Sequence, residues 1–335
     1  MISNVLIVTA LLATASGEGA PSSKTLTFEG ACDASGAVVL GKDLFIVGDD
    51  EDNMLRVYDS RPGGRPVHAA DVSKALRVAS GKNPSPETDI EAATDIPPLA
   101  FWLTSHGRKS SGKQDPNRFR FFATRASPDG KSLQLEGKPY TRLLEDLLAA
   151  PQLKGFGLAS AAQRAPKEPG GFNIEGMTAM EDGKSLLIGF RNPLPEGKAI
   201  TIALLNPVEM VKGSPARLGE ARLLDLEGLG IRSISWWRGQ YLFIAGPSSS
   251  GGTSRLFTWD GKAGKPTRVE GADFTGLNPE AFVTFEDKEE ILILSDDGTR
   301  LSDGTECKRL KDPAKKQFRG FWLRVPQAAA PRDGQ

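Results

Sequence analysis

Apolar residues occur along this chain in short runs, each broken by a cluster of Gly, Pro, Asp or Ser. Runs of that length with such boundaries predict strands joined by tight turns. Five pairs of runs share one theme. Each pair opens on a stretch with a charged residue at its start: Cys32-Asp33-Ala34-Ser35, Ile90-Glu91-Ala92-Ala93, Ile174-Glu175-Gly176-Met177, Ile231-Arg232-Ser233-Ile234 and Pro279-Glu280-Ala281-Phe282. A second apolar run follows and ends in polar residues, at 44–47, 101–104, 186–189, 242–245 and 291–294. A theme recurring every roughly 50 to 85 residues with strand signals predicts the blades of a β-propeller. The expected class is all-β, with five blades, or six if the long interval between Glu91 and Glu175 hides a degenerate one.

Third strands are expected at 55–58, 119–122, 199–204 and 255–259, and a last strand at 321–325. The alternating run 25–28 has no partner in the first repeat. It either joins the last blade, which would cover an exposed sheet edge, or borders the first. Inside the long interval, apolar residues at helical spacing over 141–150, with Pro151 just beyond, predict one short inserted helix.

Composition narrows the classes. The chain has 335 residues, and Lys+Arg and Asp+Glu both number 42. No basic excess marks a nucleic-acid binder. The 37 Gly and 23 Pro suit many tight turns. Residues 5–13 form a short apolar core followed by Ala13-Thr14-Ala15, the pattern of a cleaved signal peptide, although the basic leading segment is missing. That core is shorter than the about 20 residues a spanning helix needs. The expected organisation is a signal peptide at 1–15, a flexible leader at 16–23, one propeller domain at 24–325 and a disordered tail at 326–335. The expected location is exported, periplasmic or secreted, with no membrane attachment after cleavage. Cys32 and Cys307 fall in the first and last repeats, which are neighbours in a closed ring. A disulfide between them would fasten the closure; the alternative is two buried free thiols.

Hairpin register decides where the charges meet. It sets Asp33 near Asp49-Asp50, Glu91 near Ser105-His106, Glu175 beside Arg191-Asn192, Arg232 beside Gly246-Pro247 and Glu280 beside Asp296. If the first strand of each pair lines the channel, Asp33, Asp50, Glu91, Glu175, Glu280 and Asp296 ring Arg191, Arg232 and His106 at one mouth. Crowded carboxylates raise one another's pKa, and a divalent cation such as Ca²⁺, which takes several oxygen ligands, would relieve them. Asp33, Glu91, Glu175 and Glu280 are the expected metal set. The alternative is a structural network of ion pairs with no chemistry. His68 and His106 are the only histidines, which excludes a zinc site of several histidines. His106 reads as a general acid–base or as a structural hydrogen bond to its loop. The sequence contains no Gly-x-Ser-x-Gly, no phosphate-binding P-loop and no His-Glu-x-x-His.

Several of these stretches, together with Gly48-Asp49-Asp50-Glu51-Asp52-Asn53, Asp89-Ile90-Glu91, Asn173-Ile174-Glu175-Gly176, Phe190-Arg191-Asn192-Pro193 and Ser295-Asp296-Asp297-Gly298, resemble a bacterial family catalogued as a domain of unknown function. That family is distantly similar to esterase-like phytase propellers. The resemblance covers about residues 25–325. It implies a propeller and leaves the activity open, since fold does not fix function. Arg232 departs from a uniform acidic ring.

Three functions are expected. The first is binding of a small polar or anionic ligand, with a divalent cation, at the charged mouth. The second is metal-assisted hydrolysis of a phosphate ester or lactone, with Arg191 and Arg232 holding the anion, His106 moving a proton and Glu175 activating water. The third is a structural propeller that binds a protein partner.

Overall fold

The structure is a computed structural model that describes residues 25–78, 86–249, 251–262 and 264–326. The expected signal peptide, leader and all but the first residue of the expected tail lie outside the described residues.

The chain folds as a five-bladed β-propeller of four-stranded antiparallel sheets. The first strand, β1 (Thr25–Glu29), is set aside for the end of the fold. The first blade is β2 (Gly36–Val39), β3 (Leu44–Gly48), β4 (Met54–Asp59) and β5 (His68–Asp71). The second is β6 (Ile90–Ile96), β7 (Leu99–Thr104), β8 (Phe121–Ala126) and β9 (Leu133–Tyr140). The third is β10 (Asn173–Ala179), β11 (Leu186–Asn192), β12 (Ala199–Leu204) and β13 (Leu218–Leu224). The fourth is β14 (Gly230–Trp237), β15 (Gln240–Gly246), β16 (Arg255–Trp259) and β17 (Thr267–Arg268). The fifth begins with β18 (Pro279–Val283) and β19 (Glu290–Ser295), and a small hairpin of β20 (Leu301–Ser302) and β21 (Thr305–Glu306) follows. It is completed by β22 (Gln317–Arg324) and, outermost, by β1.

The innermost strands β2, β6, β10, β14 and β18 each touch the next, and β18 touches β2, so the ring is closed. Burial follows from this arrangement. Every residue of β11 and β15 is buried, because blades pack on both of their faces. Strands buried on both faces read as continuous apolar runs. The outer strands β9 and β13 are largely wet.

Run 25–28 thus joins the last blade, where Thr25–Glu29 pairs antiparallel with β22, and it also borders the first through a bridge from Phe28 to Gly64. It is held by Phe28, which stacks on Phe318 at 5.1 Å and meets Phe45 and Tyr58 edge-on at 5.3 Å. Cys32 and Cys307 form a disulfide across the same seam between blades one and five.

The long interval holds no sixth blade. The expected helix is there as α1 (Leu143–Ala149), its buried Leu143 and Leu147 one turn apart. Two further short helices, α2 (Leu158–Ala161) and α3 (Pro207–Val211), fill the rim of blades two and three. The third strand of blade two starts at Phe121, two residues after the run at 119–122 begins, because Pro116–Arg118 forms a 3-10 turn ahead of it.

Candidate ligand and cation site

The charged residues reach the axis through a repeated irregularity. Along blade two, Ile90 pairs with Thr104 and Ala92 with Leu103, leaving Glu91 without a partner. The register slips in the same way at Glu175, Arg232 and Glu280. An extra residue in one strand re-aims its side chain out of the ladder. The bulged residue is the charged one in each of these four blades.

Blade one differs. Gly36 pairs with Gly48, and the Ser35 amide donates to the Gly48 carbonyl. Ser35 therefore stands where the other blades place Glu91, Glu175, Arg232 and Glu280. Asp33 lies two residues earlier, level with Asp89, Asn173 and Asn278. A third tier comes from the ends of the second strands: Asp50, Ser105, Arg191, Gly246 and Asp296.

The tiers divide into two halves. On one side, the Ser35 hydroxyl donates to Glu280 at 3.4 Å, and Glu280 pairs with Arg232. Arg232 Nε lies 3.9 Å from Glu175 Oε2, and Arg191 Nη1 lies 2.7 Å from Glu175 Oε1. Asn173 also donates to Glu175, at 2.6 Å. The remaining Arg191 donors meet the Pro247 and Ser249 carbonyls. This arc is a buried, nearly neutral network.

The other side is acid-rich. Asp50, Asp89 and Glu91 each offer an oxygen, and these oxygens lie within 4.8 Å of one another; Asp33 and Glu51 form a second such group with Asp50. Asp33 is 4% exposed and its Oδ2 has no partner; Asp50 Oδ1 has none either. Burial, a hydrogen bond with Asp296 and the Asp50 charge push the Asp33 carboxyl up to about 12. Asp50 keeps some contact with solvent, yet burial and the charges of Asp49 and Asp296 hold its carboxyl well above the usual range. Burial and the neighbouring Glu175, Asp89 and Asp50 do the same to Glu91. Burial pushes Asp89 up to about 6, against the pull of Arg118, which lies 2.9 Å away. Asp89 also sits at φ 62°, a left-handed conformation that aspartate adopts more readily than most side chains.

The expected four-carboxylate set is therefore split. Asp33 and Glu91 stand in the acid-rich half, whereas Glu175 and Glu280 face arginines. Asp296 bridges the halves: Asn278 and the Gly298 amide donate to it at 2.7 and 2.9 Å. Burial opposes its ionisation, but the Asp33 bond, that amide and Arg232 outweigh it and hold its carboxyl low.

His106 is buried behind this surface. Its Nδ1 lies 2.8 Å from the Thr104 carbonyl, its ring tilts against Phe119 at 5.9 Å, and burial pushes its pKa down to about 4. The structure gives it the structural hydrogen bond and no hydrogen bond to the mouth carboxylates. Asn192 donates to the Pro166 and Glu168 carbonyls at 3.0 and 2.8 Å, anchoring the loop before β10. Lys308, next to Cys307, pairs with Glu51 at 3.2 Å, so the disulfide seats a cation at the edge of the acidic cluster.

The DUF3616 family, described as a protein of unknown function, matches residues 124–294. That span is half of the chain. The chain belongs to this family. No curated protein matches the DUF3616 chain in sequence. Among solved structures, it is similar to glutaminyl cyclase from Myxococcus xanthus, at 10% identity and a TM-score of 0.48, over 90% of this chain and 96% of that one. It is also similar to the PQQ-bound aldose sugar dehydrogenase from Streptomyces coelicolor, at 11% identity and a TM-score of 0.42, over 90% and 99%. Neither likeness says what the DUF3616 chain binds.

Proposed function

We propose that this DUF3616 propeller binds a divalent cation in the acid-rich half of its mouth and uses it to hold a small polar or anionic ligand. One observation carries the reading. Asp50, Asp89 and Glu91, from two adjacent blades, bring oxygens within 4.8 Å of one another. Two oxygens on opposite sides of Ca²⁺ are separated by roughly 4.6–5.2 Å, given bonds of about 2.3–2.6 Å. The unpartnered Asp33 and Asp50 oxygens support it, since buried carboxylates are otherwise paired or neutral. Oxygen-only donors favour a hard cation.

The arginines play a different part in this reading. Arg191 has its donors engaged, and Arg232 is held between Glu175 and Glu280. They position the arc, and the cation supplies the attraction for an anion. Hydrolysis of a phosphate ester or lactone at the same cation is the second reading. Export belongs to the proposal too; the apolar core at 5–13 and the Cys32–Cys307 disulfide support it.

Titration of the metal-stripped protein with Ca²⁺ by calorimetry tests the reading, with Mg²⁺ and Zn²⁺ in parallel. Saturable Ca²⁺ binding that Glu91→Gln weakens at least tenfold is the expected result. Absence of binding by all three ions would remove the proposal. Phosphatase and lactonase screens on the loaded protein then decide the second reading.

A further inference from the structure

The opposite end of the axis holds a cavity of about 1060 Å³. That is the size of a pocket for a drug-sized molecule. The turns after the inner strands frame its opening, and its inner end reaches Ser35 and Ala92. Glu91, Glu175, Arg232 and Glu280 are not among its lining residues; of that tier only Ser35 reaches the cavity.

Four residues beyond the charged tier, the inner strands present Val39, Asp95, Ala179, Trp236 and Thr284, and all five line the cavity. Trp236 is half-buried, and its ring lies 4.6 Å from that of Tyr241, which fixes the indole in place. Trp237, next in sequence, is buried and donates to the Phe285 carbonyl. Of the two, Trp236 is the half-buried indole at the cavity.

The hydroxyls of this wall are already engaged between blades. Thr94 accepts from the Ala179 amide at 2.9 Å, Thr178 accepts from the Trp236 amide at 2.8 Å, and Ser235 bonds Thr284 at 2.9 Å. Asp95 is the charged residue of this tier. It has no ion-pair partner among the described residues. Burial and the Glu286 charge push its carboxyl up to about 6. The opening adds Glu181, Glu286 and Asp287 against Lys42 and Arg238, and the Arg238 guanidinium lies 4.8 Å over the Trp237 ring. The balance is acidic. Between Asp95 and Trp236 in the ring stands Ala179, whose small side chain leaves room for a molecule to touch both.

We propose that this cavity is a second binding site, for an organic amine whose apolar or aromatic body lies on Trp236 and whose protonated nitrogen pairs with Asp95. An ammonium gains both a carboxylate partner and an aromatic face in such a setting. The site does not depend on the cation at the other mouth.

Calorimetry with three probes of one shape tests it: 4-phenylbutylamine, 4-phenylbutanol and 4-phenylbutyrate. The amine is expected to bind at least tenfold more tightly than the carboxylate, with the alcohol between, and to change the Trp fluorescence. Asp95→Asn should close the gap between amine and alcohol. Ala179→Met, which fills the space between the two anchors, should weaken all three, and Asp50→Asn at the charged mouth should leave the binding of the three probes unchanged. No binding of any probe, an amine no tighter than the carboxylate, a gap that survives Asp95→Asn, or a gap that Asp50→Asn abolishes would overturn the proposal.

Discussion

Asp33 and Asp296 meet across the seam between the first and last blades, and the contact pushes the Asp33 carboxyl up while it helps hold that of Asp296 low. The pair marks the boundary between the two halves of the mouth. Asp33 belongs to the crowded acids, and Asp296 is ionised beside Arg232.

Stability of the metal-free protein should fall as pH rises. Asp33, Asp49, Asp50, Asp89 and Glu91 all hold protons more tightly folded than unfolded. Unfolded carboxyls titrate near pH 4, so above that point the folded state binds more protons than the unfolded one, and the unfolding free energy declines. Burial raises both Asp89 and Asp49, so Asp89 stops contributing above about 6 and Asp49 above about 7. Burial carries the Asp33 contribution past neutrality, and Asp50 and Glu91 add to the decline in the same direction. Urea denaturation at pH 5 and pH 8, in chelator, measures it; a protein more stable at pH 8 would contradict the crowding.

Calcium should reverse that trend. Cation binding displaces the protons, so its apparent affinity rises with pH. At a Ca²⁺ concentration one hundred times Kd the gain is about 2.7 kcal/mol, or several degrees in Tm. Asp50→Asn should abolish the gain while stabilising the metal-free protein, because it removes from both carboxylate groups a carboxyl whose ionisation the fold opposes. A thermal scan with and without Ca²⁺ checks both signs; a metal-free Asp50→Asn protein with an unchanged Tm would remove crowding as the cause.

Arg232→Met should cost about 3–5 kcal/mol, the typical penalty for leaving a buried partner charge uncompensated. Arg232 is the ion-pair partner of Glu280 and lies beside Glu175. Adding Glu280→Gln to the same chain should recover more than half of the loss. A double-mutant cycle in urea reads the coupling, and additive losses would mean that the arc is not a network.

Gly298→Ala should weaken Ca²⁺ binding together with stability. A Cβ at Gly298 would collide with the Asp33 carboxylate. The strand ends must therefore shift, at about 1–3 kcal/mol, and Asp33 moves away from Asp50. Unchanged Ca²⁺ affinity in this variant would remove Asp33 from the site.

The blade count and the meeting of the charges were legible because both follow from hairpin periodicity. Glu91, Glu175, Arg232 and Glu280 each sit one residue after an apolar residue at the start of a strand, and that spacing survives in the fold. Ser35 was hidden. Reading Asp33 as the first blade's acid aligns charge with charge, whereas the pairing of Gly36 with Gly48 aligns Ser35 with Glu91. The signal was present in Asp33-x-Ser35 against Asp89-x-Glu91, which also would have exposed Asp89. Register already set Glu175 beside Arg191, and the two pair; the pairing of Glu280 with Arg232 was beyond reach, since it joins neighbouring blades that hairpin register does not relate. The helices Leu158–Ala161 and Pro207–Val211 are too short to show a helical period.

The topology of the fifth blade also orders events in time. Gln317–Arg324 is inserted between Thr25–Glu29 and Glu290–Ser295. During synthesis, therefore, the opening strand has only its bridge to Gly64 until nearly the whole propeller has left the ribosome, and four sheets are complete before its ladder can form. A chain halted before residue 317 would hold every bulged residue named above, and both cysteines of the seam, and still leave Thr25–Glu29 without its ladder.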